Sequence, residues 1–497
     1  MKHRGRHRRR RRGRALRAFL AGTALALTGA ATLISASQAT VTDDPGALRS
    51  LAATGAEAGA ARLAEEPVPR AALDRLASAM GRPLGVGEVL ADADHTLRGA
   101  DDCAPDERGA LPEAPAATRA YCWDAEDTRG WHAGAVTTSG DASDDGRWGA
   151  HQVILAGWST VGDETEPDGT SDAGSTTTEA GGTTDEAGGT TDEAGGTTDE
   201  AGGTTDEAGA SGAAEAGDAV VPDGAPGPGG RDGGGRLARV AFVDADDPER
   251  LSYTWVLLVV PVEGGRDYRA LESRVAGMVW FRDRLLVTAD EGDRTALYVY
   301  DVNRIHRATA PGDAVGRVPG GWSAHHARFV LPAVGTYRPA GGPGTPSTAS
   351  VSLDRSTTPP SLVAAERTTP DGDGRARLWR YAFSAVPERS GPLVTDAAGR
   401  AVPDEVYETK ATGVRGVLAR DGAWYVTRAA APGHEHGTLW RQDGAGARSP
   451  TCGSGVHRCW SGLTRSLSYW PRTGEVWAQS GRTLFALELA DIDRSAE

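Results

Sequence analysis

A strand–turn–strand phrase that returns along the chain constrains the fold more than any other feature. It is clearest between Ala276 and Val302. Three β-rich runs, Met278–Phe281, Leu285–Ala289 and Leu297–Val302, alternate there with turns rich in Asp, Gly and Arg. Short apolar and β-branched runs broken by turn residues make an antiparallel meander. The same frame recurs where Arg420-Asp421-Gly422 precedes Ala423–Val426 and where Pro471–Gly474 precedes Glu475–Ala478. Two poorer copies run through Ser350–Leu353, Ser361–Ala364 and Arg377–Phe383, and through Ala133–Thr138, Gln152–Gly157 and Arg239–Val243. Leading strands near 133, 276, 350, 413 and 465 predict an all-β chain, a β-propeller of five blades. A β-sandwich, which also carries many short strands between turn signals, is the competing architecture.

The N-terminus has a different grammar. Residues 1–39 join a basic run, Arg8 to Arg12, to an apolar stretch and end in Ser37-Gln38-Ala39, small residues where a signal peptidase reads. This predicts a secretory signal peptide and an extracellular protein. An uncleaved membrane anchor is the alternative, because a stretch of that length just spans a bilayer. The leader carries Lys2, nine arginines and no acid, so its removal takes the net charge from −15 to −25. A chain that acidic repels nucleic acid and anionic lipid, which excludes both as expected partners.

Residues 40–100 read as an N-terminal helical or irregular segment. Within it Arg70–Met80 sets Leu73, Leu76, Ala77 and Met80 on one helical face, and Gly81 follows. Residues 101–158 open the sheet structure, and Ala120-Tyr121-Cys122-Trp123 is placed to supply an outer strand to the last unit. Residues 159–236 hold GGTTDEA four times in tandem, with nothing larger than Ala among the apolar positions. Such a segment lacks the burial needed to offset ordering entropy and is expected to be disordered. Residues 237–490 carry the remaining strands, with a turn at Pro370–Gly374, and 491–497 form a polar tail.

The four cysteines fall into two local pairs, Cys103 with Cys122 and Cys452 with Cys459. In an exported chain that arithmetic predicts two disulfides, and the spacing is too wide for a zinc knuckle. Asp141, Ser143 and Asp145, followed by Gly146, place oxygens at the first, third and fifth positions of a calcium-loop pattern. Gln152 stands at the twelfth position, where a bidentate carboxylate belongs, so the pattern is half complete and calcium is a candidate cofactor. A solvated acidic hairpin explains the same residues. Asp141, Asp290, Glu291, Glu366 and Glu475 lie near strand ends and are the candidate acids for chemistry on a sugar, which needs two opposed carboxyls. His325-His326 and His434-Glu435-His436 lack a helical metal-binding frame. Trp131, Trp148, Trp158, Trp280, Trp322, Trp470 and Trp477 are candidates to stack on sugar rings, with Trp280 and Trp477 favoured as core.

The stretches GAVTTSGDASDDG, RVAFVDA, AGMVWF, LLVTAD and LYVYDV resemble uncharacterised secreted propeller-like proteins of high-GC Gram-positive bacteria. The resemblance runs from about Tyr121 to Leu487 without the repeat insertion. It implies export and a five-bladed arrangement, and it carries over no catalytic residue. The functional expectation is a monomeric, non-catalytic binding scaffold whose ligand is a glycan or a cell-surface protein. An extracellular carbohydrate-active enzyme is the alternative.

Overall fold

A computed structural model describes residues 44–51, 55–160, 236–292, 294–342, 344–368, 375–386, 391–430, 434–453 and 457–496. The expected leader, almost all of the 159–236 insertion and the turn at 370–374 lie outside those residues.

In chain order the first strands are β1 (Arg119–Cys122), β2 (Trp131–Thr138), β3 (Val153–Thr160), β4 (Ala238–Asp244) and β5 (Ser252–Val262). They are followed by β6 (Met278–Phe281), β7 (Arg284–Glu291), β8 (Arg294–Asp301) and β9 (Phe329–Pro339). Strands β2 to β5 form one antiparallel meander and β6 to β9 another. The two are hydrogen bonded into one sheet, whose order is β6-β7-β8-β9-β5-β4-β3-β2.

The joint is a parallel pairing of Phe329–Pro332 with Val256–Val259. Strand β9 is 11 residues long, so its second half pairs with β8 and its first half with β5. Pro332 stands at the handover, where a residue without an N–H removes one ladder donor. The path then curls until its edges β2 and β6 face each other. Ala135 N donates to Val275 O at 2.8 Å, and Trp280 N donates to Thr137 Oγ1 at 3.0 Å. Val275 is left-handed at φ 46 and fully buried. A Cβ at Gly134 would meet its carbonyl at 2.5 Å, and one at Gly157 would meet its Cγ1 at 2.4 Å. Near-closure of the sheet therefore requires glycine at both positions.

The remaining strands make separate, smaller sheets. Strands β10 (Thr348–Asp354), β11 (Ser361–Glu366), β12 (Ala376–Ala382) and β13 (Glu405–Thr409) form one, with Arg49–Leu51 on its outer edge. Strands β14 (Val414–Arg420), β15 (Ala423–Arg428) and β16 (His436–Gln442) form the next. Strands β17 (Ser468–Trp470), β18 (Glu475–Ser480) and β19 (Thr483–Glu488) form the last, and β1 pairs with β19 from the other end of the chain.

This corrects the five-bladed β-propeller expected from the repeats. The fold is all-β, but it is one nearly closed eight-strand sheet plus several smaller sheets, not five radially repeated units. The reason is physical. A repeated phrase reports which strands pair with their chain neighbours. The β5–β9 pairing joins residues 73 positions apart, as in Phe329 with Val256, and no local pattern encodes it.

Burial explains the composition of the strands. Along β7, Leu285 and Val287 enter one apolar core while Leu286 enters another. A continuous apolar run rather than a clean alternation is what a strand covered on both faces needs. The helix Arg70–Met80 ends at Gly81, as its spacing predicts, and buries Leu73 and Leu76. Leu76 packs with Val259, Tyr268 and Trp322, and burying such a side chain stabilises by about 1.5–3 kcal/mol. The expected polar tail belongs to a helix, Leu489–Ser495, whose Ile492 is buried. Both disulfides, Cys103–Cys122 and Cys452–Cys459, are formed. No helix among the described residues is long and apolar enough to cross a membrane.

Candidate binding cleft

Between β2 and β3 the chain makes a short helical turn, Ser139–Ala142, and then a loop through Gly146. Ser139 holds that loop shut, with Oγ donating to Gly146 O at 2.8 Å and accepting from Val153 N at 3.1 Å. The β6–β7 turn abuts it, with Arg282 N donating to Ala142 O at 3.1 Å. These two loops and residues Ser384, Val386 and Pro392 enclose a cleft of about 530 Å³. The first loop contributes Ala142, Ser143, Asp145, Arg147, Trp148 and Gly149, and the turn contributes Phe281, Arg282, Asp283 and Arg284.

The charges of the lining are unequally committed. Arg284 pairs with Asp283 at 2.7 Å and with Asp301 at 3.0 Å. Arg147 donates to Ala150 O and lies 3.5 Å from Asp246. Asp145 accepts from Ser143 Oγ at 2.8 Å and from Arg147 N at 3.0 Å, which holds its carboxyl below the usual range. Arg282 makes no ion pair with any described residue, and its φ is 52. Its guanidinium carbon stands 5.1 Å from the centroid of Phe281. Trp148, half-buried, leans on the core residue Trp280 with ring centroids 5.1 Å apart.

Of the calcium-pattern residues, Ser143 and Asp145 line the cleft and Asp141 does not. The Asp141 carboxylate is buried and accepts from Thr137 Oγ1 and Ser468 Oγ, both at 2.7 Å. Burial pushes this carboxyl up to about 6, against the pull of those two hydroxyls and of Arg355. Arg355 donates to Asp141 O at 2.6 Å and pairs with Asp144. Oxygens of the pattern therefore serve the loop and its neighbours and do not converge on one point.

The candidate acids Asp290, Glu291 and Glu366 are each claimed by arginine. Asp290 pairs with Arg367 at 3.1 Å, Glu291 with Arg338 at 2.9 Å, and Glu366 with Arg377. Burial would raise Glu291, but hydrogen bonds from Arg338 and Tyr298 bring it below its ordinary value. None of the three lines the cleft. Glu475 is buried against Arg119 at 3.1 Å. The histidines are separately occupied. His326 pairs with Asp313 at 2.7 Å, His325 bonds the Asp313 carbonyl at 2.9 Å, and Arg458 donates to His434 at 2.6 Å. Among the tryptophans, Trp158, Trp280, Trp322, Trp470 and Trp477 are core, whereas Trp131 is half-buried under Arg239.

A group with no sequence signal lies beside the cleft. His151, Asp244 and Asp246 bring ligand atoms within 4.8 Å of one another. His151 and Asp246 are joined at 2.8 Å, and Asp246 also accepts from Gln152 N at 2.8 Å. Residues so far apart in sequence carry no spacing motif. A second such group, Cys103, Glu107 and Cys122, has its sulfurs in a disulfide and offers no thiolate.

Neither protein-family models nor curated protein sequences match this chain.

Proposed function

We propose that the protein is an exported binding protein that holds a ligand in the cleft and performs no chemistry on it. The observation that carries this reading is the state of the carboxyls. Glycoside cleavage needs two opposed acids, one kept protonated near neutral pH. The acids of the cleft are Asp145, held low by its own loop, and Asp283, paired with Arg284. The carboxyls that burial pushes up, Asp141 and Asp404, lie outside the lining. Export is the reading of the leader, and two disulfides in a chain with no free cysteine fit an oxidising compartment.

The test is a glycan array on the mature chain beside a polysaccharide-hydrolysis screen, each with calcium and with chelator. Retention of a glycan without sugar release is the expected result. Release of sugar that a single substitution such as Asp283→Asn abolishes would overturn the reading.

A further inference from the structure

We infer that the cleft selects an acidic saccharide, a uronate, and that Arg282 reads its carboxylate. The inference rests on the cleft being a binding site, and it adds the chemistry of what binds.

Arg282 occupies the left-handed position of a two-residue hairpin loop, between Phe281 and Arg284. Glycine or asparagine fits that position, and an arginine there is strained. Within the fold its N–H donates to Ala142 O at 3.1 Å and its guanidinium lies over Phe281, neither of which uses its charge for an ion pair. Arg282 has no acidic partner among the described residues, and its side chain is exposed on the wall of the cleft. Strain kept at a residue whose guanidinium is given no acid by the described fold points to a ligand.

The surroundings identify the class. Three arginines and two aspartates line the cleft of a chain whose net charge is −15, so it is a locally cationic spot on an acidic protein. Arg284 and Arg147 are already committed, which leaves one planar fork suited to a single carboxylate. Trp148 offers a half-exposed indole for the C–H face of a sugar ring. Ser143, Ser384 and Asp145 offer partners for ring hydroxyls. A volume of about 530 Å³ lies within the range of small-molecule sites and admits one or two pyranose rings.

The experiment is a calorimetric titration of the mature chain with digalacturonate and with its neutral counterpart, a galactose disaccharide of the same linkage. Digalacturonate is expected to bind at least about tenfold tighter, a difference of about 1.4 kcal/mol. Arg282→Gly keeps a residue suited to the turn while removing the guanidinium. It is expected to abolish the preference and leave the neutral sugar unaffected, and Arg282→Gln is expected to do the same. Trp148→Ala is expected to weaken both sugars. Equal affinity for the two, or a preference that survives both Arg282 variants, would overturn the inference and leave the cleft as a binding site. Failure of both sugars would overturn the uronate assignment. The cleft itself would fall only if Trp148→Ala left every glycan-array signal unchanged.

Discussion

Two hairpin loops of equal length solve the same backbone problem differently. In the β18–β19 loop, Gly481 takes the left-handed position at φ 52 and Arg482 follows. In the β6–β7 loop the left-handed position, also at φ 52, belongs to Arg282, and Asp283 follows. Arg482 is put to structural use. It reaches Glu107 at 3.2 Å and Asp106 at 3.3 Å, fastening the segment before β1 to the last sheet. The Arg282 guanidinium reaches no acid among the described residues and lies over Phe281. A second strained residue shows what a structural account looks like: Val275, at φ 46, fills the space over Gly134 and Gly157 where the large sheet closes. Strain at a side chain packed into the core belongs to the fold, and strain at an exposed side chain without an acidic partner, on the wall of a cleft, belongs to what the cleft holds.

The largest expected effect lies on the structural side of this contrast. Glu107 is buried, and Arg98 is its nearer partner, at 2.7 and 2.9 Å from the two carboxylate oxygens. Arg98→Met leaves that carboxylate with Arg482 as its one cation among the described residues and with the Ala104 N–H at 2.8 Å. Removing one partner of a buried ion pair costs roughly 3–5 kcal/mol, read as a lower denaturation midpoint in urea. The Cys103–Cys122 bridge closes the same segment over a separation of 19 residues, and the Cys103→Ser/Cys122→Ser pair is expected to lose about 3 kcal/mol in the chain-entropy account. If either change altered sugar binding before it altered stability, the division between fastening loop and reading loop would fail.

The contrast also shows what sequence can carry. Turn residues and apolar runs placed β6, β7 and β8 within a few residues of their ends, because hairpin pairing is local. Gly81 and the spacing of Leu73 and Leu76 placed the helix, and the cysteine pairs placed the bridges. What failed was assembly. Strand Leu63–Pro67, which pairs with β9, reads LAEEP and has little β-propensity; a tertiary edge imposes its conformation. The site was half legible. The hairpin carrying Ser143, Asp145 and Trp148 was singled out, but for calcium and stacking rather than for a cleft. Arg282 stood inside the defining repeat and read only as turn. No spacing rule exposes an arginine whose side chain lacks a partner until its neighbours in space are known.

Asp141 offers a probe of the cleft wall from beneath. In the fold its carboxyl keeps a proton up to about 6, and in the unfolded chain it releases that proton near 3.8. Between those values the folded state binds more protons, so this group's contribution to stability falls as pH rises from about 4 to 6 and is level above. A difference of about two pKa units corresponds to roughly 3 kcal/mol as an upper figure. Asp141→Asn, whose amide oxygen still accepts from Thr137 and Ser468, is expected to remove that slope and to exceed the parent in stability at pH 8. Denaturant titrations at pH 4.5, 5.5 and 8 decide it. A parent whose stability relative to Asp141→Asn rises through that window would show that the buried carboxylate is favoured and not penalised.

The smallest effect is the one that separates the two loops most sharply. Arg282→Gly relieves a left-handed side chain, a gain of roughly 1 kcal/mol, but adds freedom to the unfolded chain, a loss of roughly 0.5–1 kcal/mol. Its net change in stability should lie near zero. Gly481→Arg, the mirror change, meets the strain with no ligand to justify it and should lose about 1 kcal/mol. Both are read from urea midpoints on the same chain. If Arg282→Gly were as damaging as Arg98→Met, the arginine would have a role in the fold that its contacts do not reveal, and its assignment to the ligand would be withdrawn. A silent change in stability joined to a lost uronate preference is the combination that only a ligand-reading residue produces.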